Sequence, residues 1–135
     1  MRVLYAVICE EAGERHDGRI DMHGVFHQLL APGFPAKQDH LVVAVGIEWD
    51  QGETGRHDFR IDLTDPTGSP AITINGHTDV AERVAGEAPP QTRLIMPLDG
   101  VVFPAPGSYA FELVVSEGER IPLCPLHLIE NPDAR

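Results

Sequence analysis

Apolar and polar side chains alternate along most of the chain, a pattern typical of half-buried β-strands. The clearest case is the segment 40–49, where the odd-numbered side chains are all apolar and the pattern predicts that they face a core. These side chains are Leu41, Val43, Val45, Ile47 and Trp49. In the segment 58–63, Phe59, Ile61 and Leu63 alternate with charged residues in the same way. The pattern predicts a strand at each of these places.

Turn signals separate the strand segments at roughly ten-residue spacing. Asp65-Pro66-Thr67-Gly68 has proline and glycine at the positions that a β-turn favours. Asn75-Gly76 predicts a two-residue hairpin turn, because a type I′ turn needs positive φ at both positions. Asp99-Gly100 predicts another turn, and the segment 80–84 suits one turn of helix before Gly86.

Glycine and proline decide the fold class. The chain of 135 residues has 13 glycines and 12 prolines, and the longest stretch without either covers only residues 1–12. Long helices and helical bundles are therefore excluded, because interior glycine and proline destabilise helices. We expect one all-β domain over residues 1–130, an antiparallel immunoglobulin-like β-sandwich of seven to nine short strands. A short polar tail, residues 131–135, follows it.

The net charge narrows the classes of partner. The chain has 10 Lys and Arg against 21 Asp and Glu, for a formal charge of −11. Such acidity argues against nucleic-acid binding and against attachment to anionic membranes, since both need basic side chains. No apolar run approaches the roughly 20 residues of a membrane span. Acidic residues follow the first apolar segment at once, so we expect no export signal and a cytoplasmic protein. Cys9 and Cys124 are accordingly expected to be free thiols.

Seven histidines and many carboxylates invite a search for metal sites. The histidines are His16, His23, His27, His40, His57, His77 and His127. The sequence has no HExxH, CxxC or EF-hand loop, and carboxylates commonly occupy turns because they bond their own backbone. We therefore predict no metal and no cofactor. A β-sandwich that binds a ligand or metal through loop carboxylates and histidines is the alternative hypothesis.

Catalytic motifs are missing as well. The sequence contains no GxSxG elbow and neither form of glycine-rich phosphate loop. Either cysteine with a neighbouring histidine would make a dyad, but reactive cysteines need electropositive surroundings and this chain is acidic. We predict that the protein is not an enzyme. A small hydrolase or isomerase is a third hypothesis, which a pocket holding a histidine beside a carboxylate of shifted pKa would support.

Two apolar segments are candidate interaction surfaces. The loop 29–36 contains Phe34 and Pro35, and the segment 101–104 contains Val101 and Phe103. In each segment the apolar side chains either pack onto the core or are exposed for a partner. An edge strand that accepts a partner strand is a further possibility. The predicted interaction surface is thus Phe34, Pro35, Val101 and Phe103.

Three segments together resemble a known kind of protein. They are the first strand ending in Cys9-Glu10, the segment 17–26 running on to Phe34-Pro35-Ala36, and the segment 106–113 followed by Ile121-Pro122-Leu123. In that order they resemble a family of small uncharacterised bacterial proteins, each a stand-alone immunoglobulin-like β-sandwich. The resemblance implies that fold and a bacterial cytoplasmic setting, and it implies no activity.

These observations favour a non-catalytic module for protein interaction or assembly. We expect its partner to be another protein or a second copy of the chain.

Overall fold

The chain is built from β-strands. The computed structural model describes residues 1–134, of which none is helical, and 65% of the chain is strand. The predicted all-β class is confirmed. The ten strands are β1 (Arg2–Cys9), β2 (Glu11–Glu14), β3 (Ile20–His23), β4 (Gln28–Ala31), β5 (Ala36–Glu48), β6 (Gly55–Thr64), β7 (Pro70–Val80), β8 (Gln91–Phe103), β9 (Gly107–Val115) and β10 (Ile121–Glu130).

The strands form two main sheets and a small separate arm. One main sheet has the order β1-β5-β8, the other has the order β4-β10-β9-β6-β7, and β2 pairs only with β3. One of the sheets curls into a half-barrel. The pairings are antiparallel except that of β4 with β10, which is parallel. The chain therefore leaves the first main sheet after β1 and enters the second at β4.

The core lies between the inner faces of the two main sheets. The five side chains predicted in the segment 40–49 are each at most 1% exposed, so that prediction is confirmed. From the second sheet, β6 and β9 contribute Ile61, Phe111 and Leu113 to the same cluster. The outer face of β5 is covered in part by Tyr5, because a Cβ on Gly46 would lie only 2.4 Å from its ring. Glycine at this position lets the aromatic ring cross the strand.

Several local predictions were wrong, and the reasons are contacts between distant segments. Asn75-Gly76 forms no turn but lies inside β7, where Gly76 pairs with Phe59 of β6. Asp99-Gly100 likewise lies inside β8. The segment 80–84 has no helical turn. In contrast, the turn at Asp65 is confirmed, because the Gly68 amide donates to the Asp65 carbonyl at 2.9 Å.

The ten strands exceed the predicted seven to nine because the region 11–31 is divided more finely than its pattern indicates. Gly24 adopts a positive φ of 66° and separates β3 from β4. The short strands β2 and β3 form an arm joined by a turn at residues 15–19. Arg93 of β8 fastens the arm to the first sheet, since its Nη1 donates to the Gly18 carbonyl and lies 3.4 Å from Glu14 Oε1.

A tyrosine ties the start of β9 to the loop before it. The Tyr109 hydroxyl donates to the Ala105 carbonyl at 2.8 Å and accepts from the Ala105 amide at 3.3 Å. Its ring is 1% exposed and packs edge-to-face on Phe103, with centroids 5.1 Å apart. These contacts fix the geometry of the crossing from β8 to β9.

Candidate functional site

The structure corrects two of the predicted interaction residues. Val101 is 4% exposed and Phe103 is 1% exposed, and both belong to the core cluster. They lie on the inner face of β8, while Val102 between them is 55% exposed. Of the two possibilities considered for this segment, Val101 and Phe103 therefore follow the first, and they pack in the core. They form no contact surface in the folded chain.

The loop between β4 and β5 places its two predicted residues differently. Phe34 is half-buried and packs against the core, whereas Pro35 is exposed. Next to this loop, the exposed apolar side chains are Leu30 at 49% and Ile129 at 41%. These two residues are register partners in the β4–β10 pairing, so their side chains lie beside each other on one face. We call this exposed pair, Leu30 and Ile129, the apolar pair.

The strand that carries Leu30 is at the edge of its sheet. Among residues 1–134, β4 pairs with β10 on one side only. The His127 amide donates to the His27 carbonyl at 2.9 Å, and the Asn131 amide donates to the Ala31 carbonyl at 2.8 Å. Odd-numbered backbone groups therefore face β10, and by alternation the backbone groups of Gln28 and Leu30 face away from it. Unpaired groups of this kind are a template for another strand.

A cleft of about 490 Å³ adjoins the beginning of β4. Its walls combine carboxylates, amides and apolar groups with one imidazole. The lining residues are Glu10, Glu11, Phe26, Gln28, Leu29, Gln38 and His40. Because Gln28 and Leu29 belong to β4, the cleft and the free edge of β4 are continuous. The cleft was not predicted, since its residues come from three separate segments of the chain.

His40 lies between two carboxylates at this cleft. Its Nδ1 is 2.6 Å from Asp99 Oδ1 of β8, and its Nε2 is 3.2 Å from Glu11 Oε1 of β2. The hydrogen bond to Asp99 is the main cause that raises the pKa of the imidazole, partial burial opposes it, and the charges of Glu11 and Asp99 add to it. The fold thus places His40 beside two acidic groups in this cleft.

Other histidines and turn carboxylates have local partners. His57 stacks on Trp49 at a centroid distance of 4.7 Å, and its Nε2 lies 2.7 Å from the Glu53 carbonyl oxygen. His127 Nδ1 lies 3.0 Å from Ser108 Oγ. Asp65 Oδ1 accepts from the Thr67 amide at 2.9 Å, as expected for a turn residue. Within residues 1–134, no three His, Cys, Asp or Glu side chains are placed to hold a metal ion.

Both cysteines are free thiols. Burial raises the pKa of the Cys124 thiol to about 11 and also raises the pKa of the Cys9 thiol. Neither has the lowered pKa that marks a reactive cysteine. Both therefore behave as small apolar side chains of the interior.

The sequence model of DUF6941, a family of unknown function, matches residues 4–129. The chain belongs to the DUF6941 family. The resemblance to a family of small β-proteins without known activity is thereby confirmed. No curated protein sequence matches the chain.

The DUF6941 match covers the whole candidate site, since the cleft residues, the free edge of β4 and the apolar pair all lie within residues 4–129. The site is therefore part of the family's domain. The structure describes no helix in residues 1–134 that is long and apolar enough to cross a membrane.

Proposed function

We propose that this DUF6941 chain is a non-catalytic protein-interaction module that binds an extended, basic segment of a partner protein along β4. The observation that carries the proposal is the apolar pair, Leu30 and Ile129, exposed beside the free edge of a four-residue strand. Main-chain hydrogen bonds to the edge would provide affinity, and the apolar pair would select the side chains of the incoming strand.

The architecture is compatible with such a role. In the immunoglobulin-like sandwich that we propose, a tyrosine near the start of a late strand bonds the backbone a few residues upstream. The bond from Tyr109 to Ala105 agrees with this description. Sandwiches of this kind host many unrelated functions, so the role is argued from the exposed edge and not from the fold.

The charge around the edge indicates the chemistry of the partner. A strand laid beside Leu30 reaches the level of Gln28 two residues on, roughly 7 Å away, where the cleft begins. Glu10 and Glu11 line that cleft, and the whole chain carries a formal charge of −11. A lysine or arginine of the partner would therefore enter the cleft, and the opposite charges would speed association. A second copy of this acidic chain is a poorer occupant because the two copies repel each other.

Two features of the chain support a cytoplasmic setting and a non-catalytic role. The cysteines are free thiols, which agrees with the reducing cytoplasm that we propose, in a bacterial cell. The residues that line the cleft include no serine, threonine or cysteine that would serve as a nucleophile. A non-catalytic role is therefore the simpler proposal.

A second candidate function has one observation in its favour. The pair His40 and Asp99, beside a cleft of about 490 Å³, has the composition of an acid–base site for a small ligand. A small hydrolase or isomerase would use it. In that case His40→Gln would abolish turnover of the ligand, whereas strand binding at β4 would not depend on the imidazole.

The test uses crosslinking from the edge itself. A photoreactive amino acid at position 28, whose side chain is exposed, is introduced into the chain at native expression level in its source cells. We expect one crosslinked partner segment with alternating apolar residues and a lysine or arginine. Leu30→Asp or Ile129→Asp should abolish the crosslink. Val84→Asp is the matched control, because Val84 is 54% exposed in the loop between β7 and β8.

Three results would contradict the proposal. The first is a crosslink that survives both Leu30→Asp and Ile129→Asp. The second is a crosslink to position 28 of a second copy, with a dimer in sedimentation analysis, which would assign the edge to self-assembly. The third is a crosslinked segment without basic residues, which would remove the role of Glu10 and Glu11.

A further inference from the structure

The arm formed by β2 and β3 meets the first main sheet at a three-residue cluster. His40 of β5 lies between Glu11 at the start of the arm and Asp99 of β8. Its backbone carbonyl accepts a hydrogen bond from Gln38 Nε2 at 3.1 Å, which holds the local strand geometry. The imidazole ring thus connects the arm to the sheet through its two nitrogens.

The surroundings of the two nitrogens favour a proton on each, through a hydrogen bond at Nδ1 and a charge contact at Nε2. A neutral imidazole carries one N–H, and its other nitrogen is a lone-pair acceptor. Asp99 lies 2.6 Å from Nδ1, so the single proton of the neutral ring stays there. Nε2 would then face Glu11 Oε1 at 3.2 Å as an acceptor against an acceptor. Nε2 is shielded from solvent and makes no hydrogen bond among residues 1–134, so its contact with Glu11 is one of charge, attractive only when the ring is protonated.

We propose that the proton on Nε2 of His40 is a latch that holds the base of the β2–β3 arm against the sheet, and that its loss releases Glu11 and loosens the arm. The charged groups around the ring are Glu11 and Glu10 from the arm side and Asp99 from β8. Lys37 of β5 is engaged by Asp39 at 4.0 Å. The groups closest to the His40 ring are therefore carboxylates, and their negative charges favour the protonated imidazole.

The sign of the pH dependence follows from the same contacts. The hydrogen bond to Asp99, with the charges of Glu11 and Asp99, raises the pKa of His40 above its ordinary value. A group whose pKa is raised on folding contributes stability below its ordinary pKa and loses it as the pH rises through the raised value. The arm is therefore latched on the acidic side of this transition and loosened on the alkaline side. Arg93, which stays charged, keeps the far end of the arm attached in both states.

The latch shares Glu11 and His40 with the cleft of the proposed strand binding, but its test uses the chain without a partner, so the failure of one proposal is distinguishable from the failure of the other. Its test is an NMR titration of the seven histidine rings together with the backbone amide of Gly13, which lies in β2. We expect His40 to titrate above the ordinary pKa of a histidine side chain. We also expect the Gly13 signal to shift with the same midpoint as His40.

Variants separate the latch from a passive ion pair. Glu11→Gln should lower the pKa of His40 and uncouple Gly13 from it. Glu10→Gln is the matched control. It removes one negative charge from the same cleft and leaves Glu11, the carboxylate beside the His40 ring, in place. His40→Gln should abolish the pH-dependent shift of the Gly13 signal. If the His40→Gln protein does not fold, Glu11→Gln tests the same coupling.

Either of two outcomes would overturn the inference. One is a Gly13 signal that does not follow the His40 midpoint in the unaltered protein. The other is an equal response of His40 to Glu11→Gln and Glu10→Gln, which would show that the nearest carboxylate has no special role.

Discussion

Gly76 offers the sharpest test of how this fold is held together. It lies inside β7 opposite Phe59, and a Cβ at this position would lie 2.6 Å from Phe59 Cζ and 3.1 Å from both Cε atoms. Contacts under 3.0 Å essentially never occur for a real Cβ, so the ring or the strand must move. We predict that Gly76→Ala destabilises the protein because of this contact and not because of the backbone conformation.

The expected size follows from two opposing effects. Overpacking of this kind costs about 1–3 kcal/mol. Replacing glycine by alanine also restricts the unfolded chain, which returns about 0.4–1 kcal/mol. The net loss is about 0–2.6 kcal/mol with a midpoint of about 1.3 kcal/mol, or about 4–5 °C in Tm for a domain of this length. Gly13→Ala is the matched control, because the space around Gly13 is open to 4 Å, and it should leave the stability unchanged or slightly higher.

The assay is a double-mutant cycle measured by urea unfolding. Phe59→Leu removes the three ring atoms that the new Cβ would meet, so Gly76→Ala should keep only its gain of about 0.4–1 kcal/mol in that background. The coupling free energy should then equal the overpacking cost, about 1–3 kcal/mol. An equal cost in both backgrounds would refute the reasoning. It would indicate that glycine is needed for its backbone, as the Asn75-Gly76 turn signal predicts.

Two further predictions concern stability and reactivity. Tyr109→Phe should lower the free energy of unfolding in urea by about 1 kcal/mol, because it removes the hydroxyl that bonds Ala105 at 2.8 Å and leaves the packed ring in place. An unchanged free energy of unfolding would show that this hydrogen bond does not stabilise the loop. At pH 8, Cys124 should react with a thiol reagent far more slowly in the folded protein than in guanidinium, because burial raises its pKa to about 11. The free energy of unfolding should fall as the pH rises from the ordinary pKa of a thiol towards 11, because only the unfolded chain ionises there. Folded Cys124→Ala should react at the same rate as the unaltered protein, which would confirm that Cys124 contributes little to the reaction of the folded chain.

The parts of the fold that were predicted correctly depend on local pattern. The alternation in the segment 40–49 was sufficient to orient β5, because period-two burial is a property of the strand alone. Pro122 and Pro125 also act locally, because a proline cannot donate a hydrogen bond to the neighbouring strand and so favours a bulge or an edge. The structure has a bulge between Pro122 and Cys124, and the pairing with β4 begins only at His127.

The parts that were missed depend on which strands become neighbours. Asn75-Gly76 has a strong turn signal, but Gly76 lies inside β7, where the absence of a Cβ leaves room for the Phe59 ring of the neighbouring strand. His40 meets Glu11 and Asp99 only because β5 lies between β1 and β8. No spacing along the chain encodes that order. The burial of Val101 and Phe103 could have been predicted, since alternation about exposed Val102 places both on one face.

The parallel pairing of β4 with β10 has a consequence for synthesis of the protein. It joins residues that are roughly 100 positions apart, and β10 is the last strand to leave the ribosome. Until β10 arrives, the edges of both β4 and β9 are open, and the second sheet lacks the strand that connects them. Such distant pairings form slowly, because the chain between them must be ordered first. The second sheet can therefore be completed only after β10 has left the ribosome, and until then the formal charge of −11 opposes association of the open edges of neighbouring chains.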